Sequence, residues 1–175
     1  MPRFPLPPLP PEDFVCVECG FGYAVSVDDA VVTLRNAVLR LTALVEATRA
    51  DVRARPAPET WSAVEYVCHV RDVLMTSAIR LHRVVHERGP VLEPMFNDWR
   101  ADRFRYRDED VPAVLAQVRR AGDGLLDEVA SVRPDAWERT GGRFPDEQRS
   151  ASWFVRHAAH ETAHHLRDIR AGLGG

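Results

Sequence analysis

The sequence contains no lysine, so all 23 of its basic residues are arginine. Asparagine, glutamine and isoleucine are also scarce, a bias that is typical of a GC-rich genome rather than of an arginine-specific function. No apolar run approaches the roughly 20 residues that a membrane-spanning helix requires, so we expect no membrane partner. The three cysteines, Cys16, Cys19 and Cys68, are too few and odd in number for a disulfide scaffold, which favours a cytoplasmic location.

The remaining composition is that of a soluble globular domain. The chain has 175 residues, of which 45% are hydrophobic and 28% are charged, enough to bury one sizeable core. Acidic residues number 26 against the 23 arginines, and the resulting net charge of −3 argues against nucleic acid as a partner. Six prolines among residues 1–11 predict an extended arm rather than an export signal.

Helical periodicity dominates the rest of the chain. Apolar residues recur at three- and four-residue steps in four long segments, which we place at 27–53, 61–88, 111–132 and 150–173. Long loops are expected between the second and third and between the third and fourth of these helices, with no credible set of strands. We therefore predict an all-α four-helix bundle with long crossover loops, in which residues 1–25 form an N-terminal extension and residues 26–175 the bundle domain.

Four of the seven histidines lie within residues 157–165. His157, His160 and His164 share one helix face, and the one-turn spacing of His160 and His164 lets two imidazoles bind one ion. His69, on the second helix among apolar residues, is the upstream candidate for a third ligand. Three imidazoles with an open position are typical of catalytic zinc, although nickel and iron also suit them. We predict that His82 and His86 lie on the surface.

Residues 160–164 also spell H-E-x-x-H, the zinc-peptidase signature in which the glutamate acts as general base. Its extended form requires glycine and histidine where this chain has Arg167 and Arg170, so a peptidase is disfavoured. Glu161 is nevertheless a candidate catalytic residue, and a surface carboxylate is the alternative.

The pair Cys16-x-x-Cys19 has the spacing of half a zinc site or of a redox pair. No second C-x-x-C follows, and no thioredoxin-like βαβ pattern surrounds it. We therefore predict that the two cysteines pack within the N-terminal extension, with a structural or redox role as the alternative.

Three motifs occur in a characteristic order: W-S at 61–62, H-x-x-D at 69–72 and H-x-x-x-H-H at 160–165. In this order, over residues 26–173, they resemble the DinB/YfiT-like metalloprotein superfamily. The resemblance implies a DinB-type bundle that binds one divalent metal ion. It also implies that the ligands are His69, His160 and His164, with His165 and His157 left open as further members.

The resemblance also implies a reaction. Proteins similar in these motifs include thiol S-transferases that use bacillithiol or mycothiol, so we expect transfer of a mycothiol-like thiol to a small electrophilic substrate. A metal-dependent hydrolase of a small amide or ester is one alternative, and a non-catalytic metal-binding stress or interaction protein is another. The expected partners are small molecules, and a homodimer is left open.

Overall fold

Five α-helices account for most of the described chain: α1 (Val27–Ala47), α2 (Ala63–His86), α3 (Asn97–Arg103), α4 (Val111–Ser131) and α5 (Ala151–Gly172). Two short antiparallel strands, β1 (Thr140–Gly142) and β2 (Gln148–Ser150), precede α5. This computed structural model describes residues 6–174. The first five residues of the predicted N-terminal extension lie outside the described part.

Polar side chains fix the helix starts where the sequence predicts them. The Ser26 hydroxyl accepts the backbone N–H of Asp29 at the start of α1. At the start of α2, Ser62 and Glu65 form a capping box, in which the Glu65 carboxylate accepts the Ser62 N–H at 2.8 Å. Each cap satisfies backbone donors that the first helical turn leaves free.

Two local features differ from the sequence prediction. Helix α1 ends at Ala47, well before residue 53, because the next side chains bind the backbone: the Thr48 hydroxyl accepts the Ala50 N–H and the Asp51 carboxylate accepts the Arg53 N–H. The second predicted loop contains the β1–β2 hairpin. Its strands have only three residues each and lack an alternating apolar pattern, so no periodicity signalled them.

The four long helices form the predicted four-helix bundle. Helix α2 packs on α4 and α5, and α1 packs on the same two helices, so α1 and α2 occupy opposite corners. Long connections are needed between α1 and α2 and between α4 and α5, because the two helices of each of these pairs follow one another in the chain but do not pack together. Within residues 6–174, no helix combines the length and the apolar composition needed to span a bilayer. The largest fully buried side chains include Trp153, Tyr23, Tyr106, Leu34 and Leu41.

Residues 14–23 form a tight hairpin that packs against α5. The Tyr23 N–H donates to the Phe14 carbonyl at 2.8 Å, and the Cys16 N–H donates to the Phe21 carbonyl at 2.9 Å. The chain reverses at Gly20, whose φ of +76° is a backbone conformation that glycine adopts without strain. Further upstream, the Arg149 guanidinium binds the carbonyls of Leu9 and Pro10. The N-terminal extension is thereby held against the bundle.

Candidate metal centre

Helices α2 and α5 bring three potential metal ligands together. His69 projects from α2, and Glu161 and His165 project from successive turns of α5. Glu161 Oε2 lies 3.7 Å from Nε2 of His69 and 3.7 Å from Nε2 of His165. One donor atom from each residue lies within 4.8 Å of the others. We call these three residues the His-Glu-His cluster.

The electrostatics of the cluster suit a cation. His69 is only 2% exposed, and this burial lowers the pKa of its imidazole despite the nearby Glu161 carboxylate, so the ring is neutral and free to act as a ligand. Burial tends to raise the pKa of Glu161, but hydrogen bonds from His160, His165 and His69 outweigh it and hold the pKa well below its ordinary value. The cluster therefore offers the neutral imidazole of His69 next to a carboxylate, and two imidazoles with a carboxylate are a donor set that fits zinc or iron(II).

Asp168 orients the third member of the cluster. Its Oδ2 atom lies 3.0 Å from Nδ1 of His165, which leaves Nε2 of that ring facing Glu161. Burial opposes the charged form of His165, but the two carboxylates prevail and raise its pKa to about 9. A carboxylate on the far nitrogen of an imidazole is the usual outer support of a metal-binding histidine.

A cavity of about 610 Å³ opens onto this cluster. His69, Glu161 and His157 form part of its wall, together with Arg80 and residues 6–10 of the N-terminal extension. His157 stacks on Trp153 with ring centroids 4.5 Å apart, and burial lowers its pKa to about 4, so it is neutral at pH 7. The volume is within the range of cavities that hold small organic ligands.

The predicted ligands His160 and His164 meet two cysteines instead of His69. Donor atoms of Cys16, Cys19, His160 and His164 all lie within 4.8 Å of one another, and we call this group the Cys-His cluster. Burial acts to raise the pKa of Cys16, but the N–H groups of Cys19 and Glu18 and the neighbouring His160 imidazole lower it to about 6. Burial raises the pKa of Cys19. The structure therefore places the two cysteines beside two histidines of α5.

This grouping differs from the predicted set of His69, His160 and His164, which the structure does not bring together as one cluster. Consecutive residues of a helix point about 100° apart. Residues 160 and 164 therefore face the N-terminal hairpin, while 161 and 165 face α2. The missed signal is the pair Glu161-x-x-x-His165, which has the same one-turn spacing as His160 and His164. The exposed positions predicted for His82 and His86 are confirmed.

Asp72, the last residue of the H-x-x-D motif, supports the fold around α2. Its carboxylate accepts hydrogen bonds from Arg71 at 2.8 Å, from Arg100 at 2.5 Å and from the Tyr106 hydroxyl. Burial alone would raise the pKa of Asp72, but these donors outweigh it and lower the pKa. Asp72 thereby joins α2 to the connection that contains α3.

Fold and clusters together define a four-helix-bundle protein with a candidate metal centre between two helices. The sequence matches the DinB superfamily over residues 32–169, and the chain belongs to this superfamily.

Solved structures that share the fold include YfiT and TT2238. YfiT from Bacillus subtilis, described as a probable metal-dependent hydrolase with an unusual four-helix bundle topology, is 18% identical with a TM-score of 0.71. That match covers 95% of this chain and 94% of YfiT. The four-helix bundle protein TT2238 is 26% identical with a TM-score of 0.60, covering 83% of this chain and 99% of TT2238. No curated protein sequence matches the chain.

Proposed function

We propose that this protein is a metal-dependent enzyme in which His69, Glu161 and His165 hold one divalent ion, with zinc favoured. The observation that carries the proposal is that His69 and Glu161 both belong to the cluster and line the cavity. Three protein ligands leave room for an exogenous one, as at catalytic rather than structural zinc sites. Glu161 is assigned here as a ligand rather than as a general base.

The proposed reaction is transfer of a low-molecular-weight thiol, of the mycothiol type, to a small electrophile in a cytoplasmic setting. A divalent ion in the cluster would lower the pKa of a coordinated thiol or water, so that the nucleophile is deprotonated near pH 7. The chain itself supplies the walls of the cavity and a neutral His157 beside the cluster. The thiol assignment rests on the resemblance of the three sequence motifs to those of thiol S-transferases.

Arg80 points to an anionic group on the substrate. Its side chain lines the cavity and donates to the Glu93 carbonyl, but no residue of the described chain accepts from its buried Nε. Arg143, on the same wall, is already neutralised by Glu147 at 2.5 Å. Burial and the charge of Arg143 lower the pKa of Arg80 to about 10, so the guanidinium stays charged at pH 7. A carboxylate or phosphate on the substrate would pair with this charge.

Hydrolysis of a small amide or ester is the second candidate. It is favoured by the likeness to YfiT, which is described as a probable metal-dependent hydrolase. The two candidates use the same cluster and differ only in whether a thiol or water is the nucleophile.

One experiment separates them. The full-length protein, freed of any affinity tag and loaded with zinc, is assayed with a bimane electrophile in the presence and absence of a low-molecular-weight thiol, and with a panel of small esters and amides. Thiol transfer predicts turnover that requires both thiol and metal and that His69→Ala abolishes. The matched control His82→Ala, an exposed histidine on the same helix, should keep full activity.

Each other outcome has a meaning. Thiol-independent, metal-dependent cleavage of esters or amides would establish the hydrolase instead. Absence of turnover in both assays, with the metal demonstrably bound, would contradict the enzyme proposal and leave a metal-binding stress or interaction protein.

A further inference from the structure

We infer that Cys16, Cys19, His160 and His164 form a second metal site, a tetrahedral zinc site separate from the His-Glu-His cluster. The four donor atoms come from two parts of the chain that are far apart in sequence, yet all lie within 4.8 Å of one another. Both pairs have ligand spacing that is typical of structural zinc, C-x-x-C and H-x-x-x-H. This site does not depend on the proposed function.

The separation of the donors matches the size of a zinc ion. Sγ of Cys16 lies 3.6 Å from Nδ1 of His164. With zinc–sulfur bonds of about 2.3 Å and zinc–nitrogen bonds of about 2.0 Å, a tetrahedral angle puts sulfur and nitrogen about 3.5 Å apart. The pair is therefore spaced for an ion between the two atoms.

One ring nitrogen of His160 is buried at the cluster without a hydrogen-bond partner in the described chain. The residue is 7% exposed, and its Nε2 atom has no hydrogen-bond partner among residues 6–174. An unpaired polar atom in the interior is destabilising, so such atoms are rare without an ion or water. The opposite nitrogen, Nδ1, is well supported, at 3.0 Å from the Tyr23 hydroxyl and 3.2 Å from Glu161 Oε1.

The two ring nitrogens of His164 also face different partners. Nδ1 faces the cysteine, while Nε2 lies 3.4 Å from Oδ2 of Asp168. Both imidazoles thus turn one nitrogen towards the cluster and the other towards a carboxylate or hydroxyl. That arrangement is the one found around metal-binding histidines, since the outer partner fixes which nitrogen carries the proton.

The hairpin shapes the cysteine half of the site. Both cysteines are free thiols, and the chain turns back immediately after Cys19, where the Gly20 N–H donates to the Cys16 carbonyl at 2.8 Å. Phe14 and Phe21 pack against the His160 ring, with centroids 6.0 and 5.8 Å away, and keep water from one side. Two sulfur and two nitrogen donors in a shielded, four-coordinate site select zinc and leave no open position.

Zinc here would clamp the N-terminal extension to α5. The extension continues upstream into residues 6–10, which wall the cavity of the His-Glu-His cluster. The site would also fix a proton arrangement: with Nε2 of His160 on zinc, Nδ1 donates to the Tyr23 oxygen, and the Tyr23 hydroxyl donates to Nδ1 of His157. The proton of His157 then resides on Nε2.

The test compares the metal content of full-length variants, freed of affinity tags, saturated with zinc and dialysed. Cys16→Ser/Cys19→Ser should bind one zinc fewer per chain than the wild type. His69→Ala should also lose metal, but from the other cluster. Cobalt substitution distinguishes the two losses, because only a cysteine-bound ion produces sulfur-to-cobalt charge-transfer absorption. The band should be present in the wild type and in His69→Ala, and absent in the cysteine variant.

His82→Ala/His86→Ala is the control, since this exposed pair lies outside both clusters and should leave zinc content and the cobalt band unchanged. If the cysteine variant fails to fold, the cobalt spectrum of the wild type decides alone. Absence of the charge-transfer band in the wild type, unchanged zinc in a folded cysteine variant, or a Cys16–Cys19 disulfide in the purified protein under reducing conditions would each overturn the inference.

Discussion

The hydroxyl oxygen of Tyr23 lies 2.7 Å from Nδ1 of His157, which lines the large cavity. The same oxygen lies 3.0 Å from Nδ1 of His160 in the Cys-His cluster. Tyr23 is completely buried, and burial raises its pKa far above the ordinary value, so the phenol keeps its proton at every pH at which the protein folds. One neutral hydroxyl therefore connects the N-terminal hairpin to two histidines of α5.

Replacing Tyr23 by phenylalanine should lower the free energy of unfolding by about 1–3 kcal/mol, because two buried imidazole nitrogens lose a partner. Urea denaturation of the zinc-loaded protein measures the change. Tyr66→Phe is the matched control, since Tyr66 packs on His165 but its hydroxyl makes no hydrogen bond within residues 6–174. Equal losses in the two variants would show that the Tyr23 hydroxyl contributes nothing specific.

Replacing either of two glycines by alanine should change the stability of the protein, in opposite directions at the two positions. Gly20→Ala places a side chain at a φ of +76° and should lower the free energy of unfolding by about 1 kcal/mol. The variant should also lose zinc to a chelator faster than the wild type. Gly124→Ala lies in the exposed interior of α4, where a Cβ would meet nothing within 4 Å, and should stabilise the protein by up to about 1 kcal/mol. Thermal unfolding and chelator-competition rates measure both effects. A Gly20→Ala variant that keeps zinc as long as Gly124→Ala would argue against a hairpin shaped for metal binding.

Much of the fold could be predicted because apolar periodicity and capping side chains are local signals. Ser62 and Glu65 mark the start of α2, and Asp110 caps α4, whatever the rest of the molecule does. The β1–β2 hairpin could not be predicted because it depends on contacts remote in sequence. A Cβ on Gly141, for example, would lie 2.8 Å from a Val84 methyl group. Glycine there is required by the neighbouring helix, which no local pattern reveals.

The candidate site was predictable in its residue types but not in its pairing. Glu161 follows His160 directly, yet the two residues belong to different clusters because α5 turns about 100° between them. Which face of α5 meets α2 is set by packing of the whole bundle, and two competing one-turn pairs stand side by side. The cysteines of the hairpin reach α5 only through the tertiary fold, across a separation much longer than the linkers of familiar zinc motifs.

Asp168 supports a histidine in each cluster, His165 at 3.0 Å and His164 at 3.4 Å. Removing its charge while preserving its shape, with Asp168→Asn, should weaken metal binding at the His-Glu-His cluster by about 10- to 100-fold, because the imidazole becomes a poorer and less well oriented donor. Competition with a chelator of known affinity measures the change. Asp135→Asn, which alters an exposed ion pair with Arg133, should leave affinity unaltered. The assigned role of Asp168 would be wrong if both variants bound metal as the wild type does.

Asp72 should make stability depend on pH in the acidic range. Its donors lower the pKa in the folded chain below the unfolded value, so the carboxylate stabilises the fold above about pH 4, and the contribution disappears as the pH falls through the lowered folded value. Asp72→Asn should therefore lower the free energy of unfolding by about 2 kcal/mol at pH 7. This difference in stability from the wild type should shrink below about pH 4. Urea denaturation at a series of pH values records it. Asp108→Asn, an exposed partner of Arg105, should change stability little at any pH. A difference between Asp72→Asn and the wild type that is constant down to pH 2 would exclude this source of pH dependence.

Arg80 should discriminate among substrates by charge. Its guanidinium lines the cavity, and no carboxylate in the part of the chain that the structure describes pairs with it, so a substrate anion would gain a charge-assisted hydrogen bond. Such a bond contributes about 1.5–3 kcal/mol, and Arg80→Met should therefore raise KM for an electrophile carrying a carboxylate by about tenfold or more. KM for a neutral electrophile of the same size should stay unchanged. Arg83→Met, on the same helix but paired with Glu87, is the control and should affect neither substrate. An equal rise in KM for the charged and the neutral electrophile would mean that Arg80 shapes the cavity wall without recognising charge.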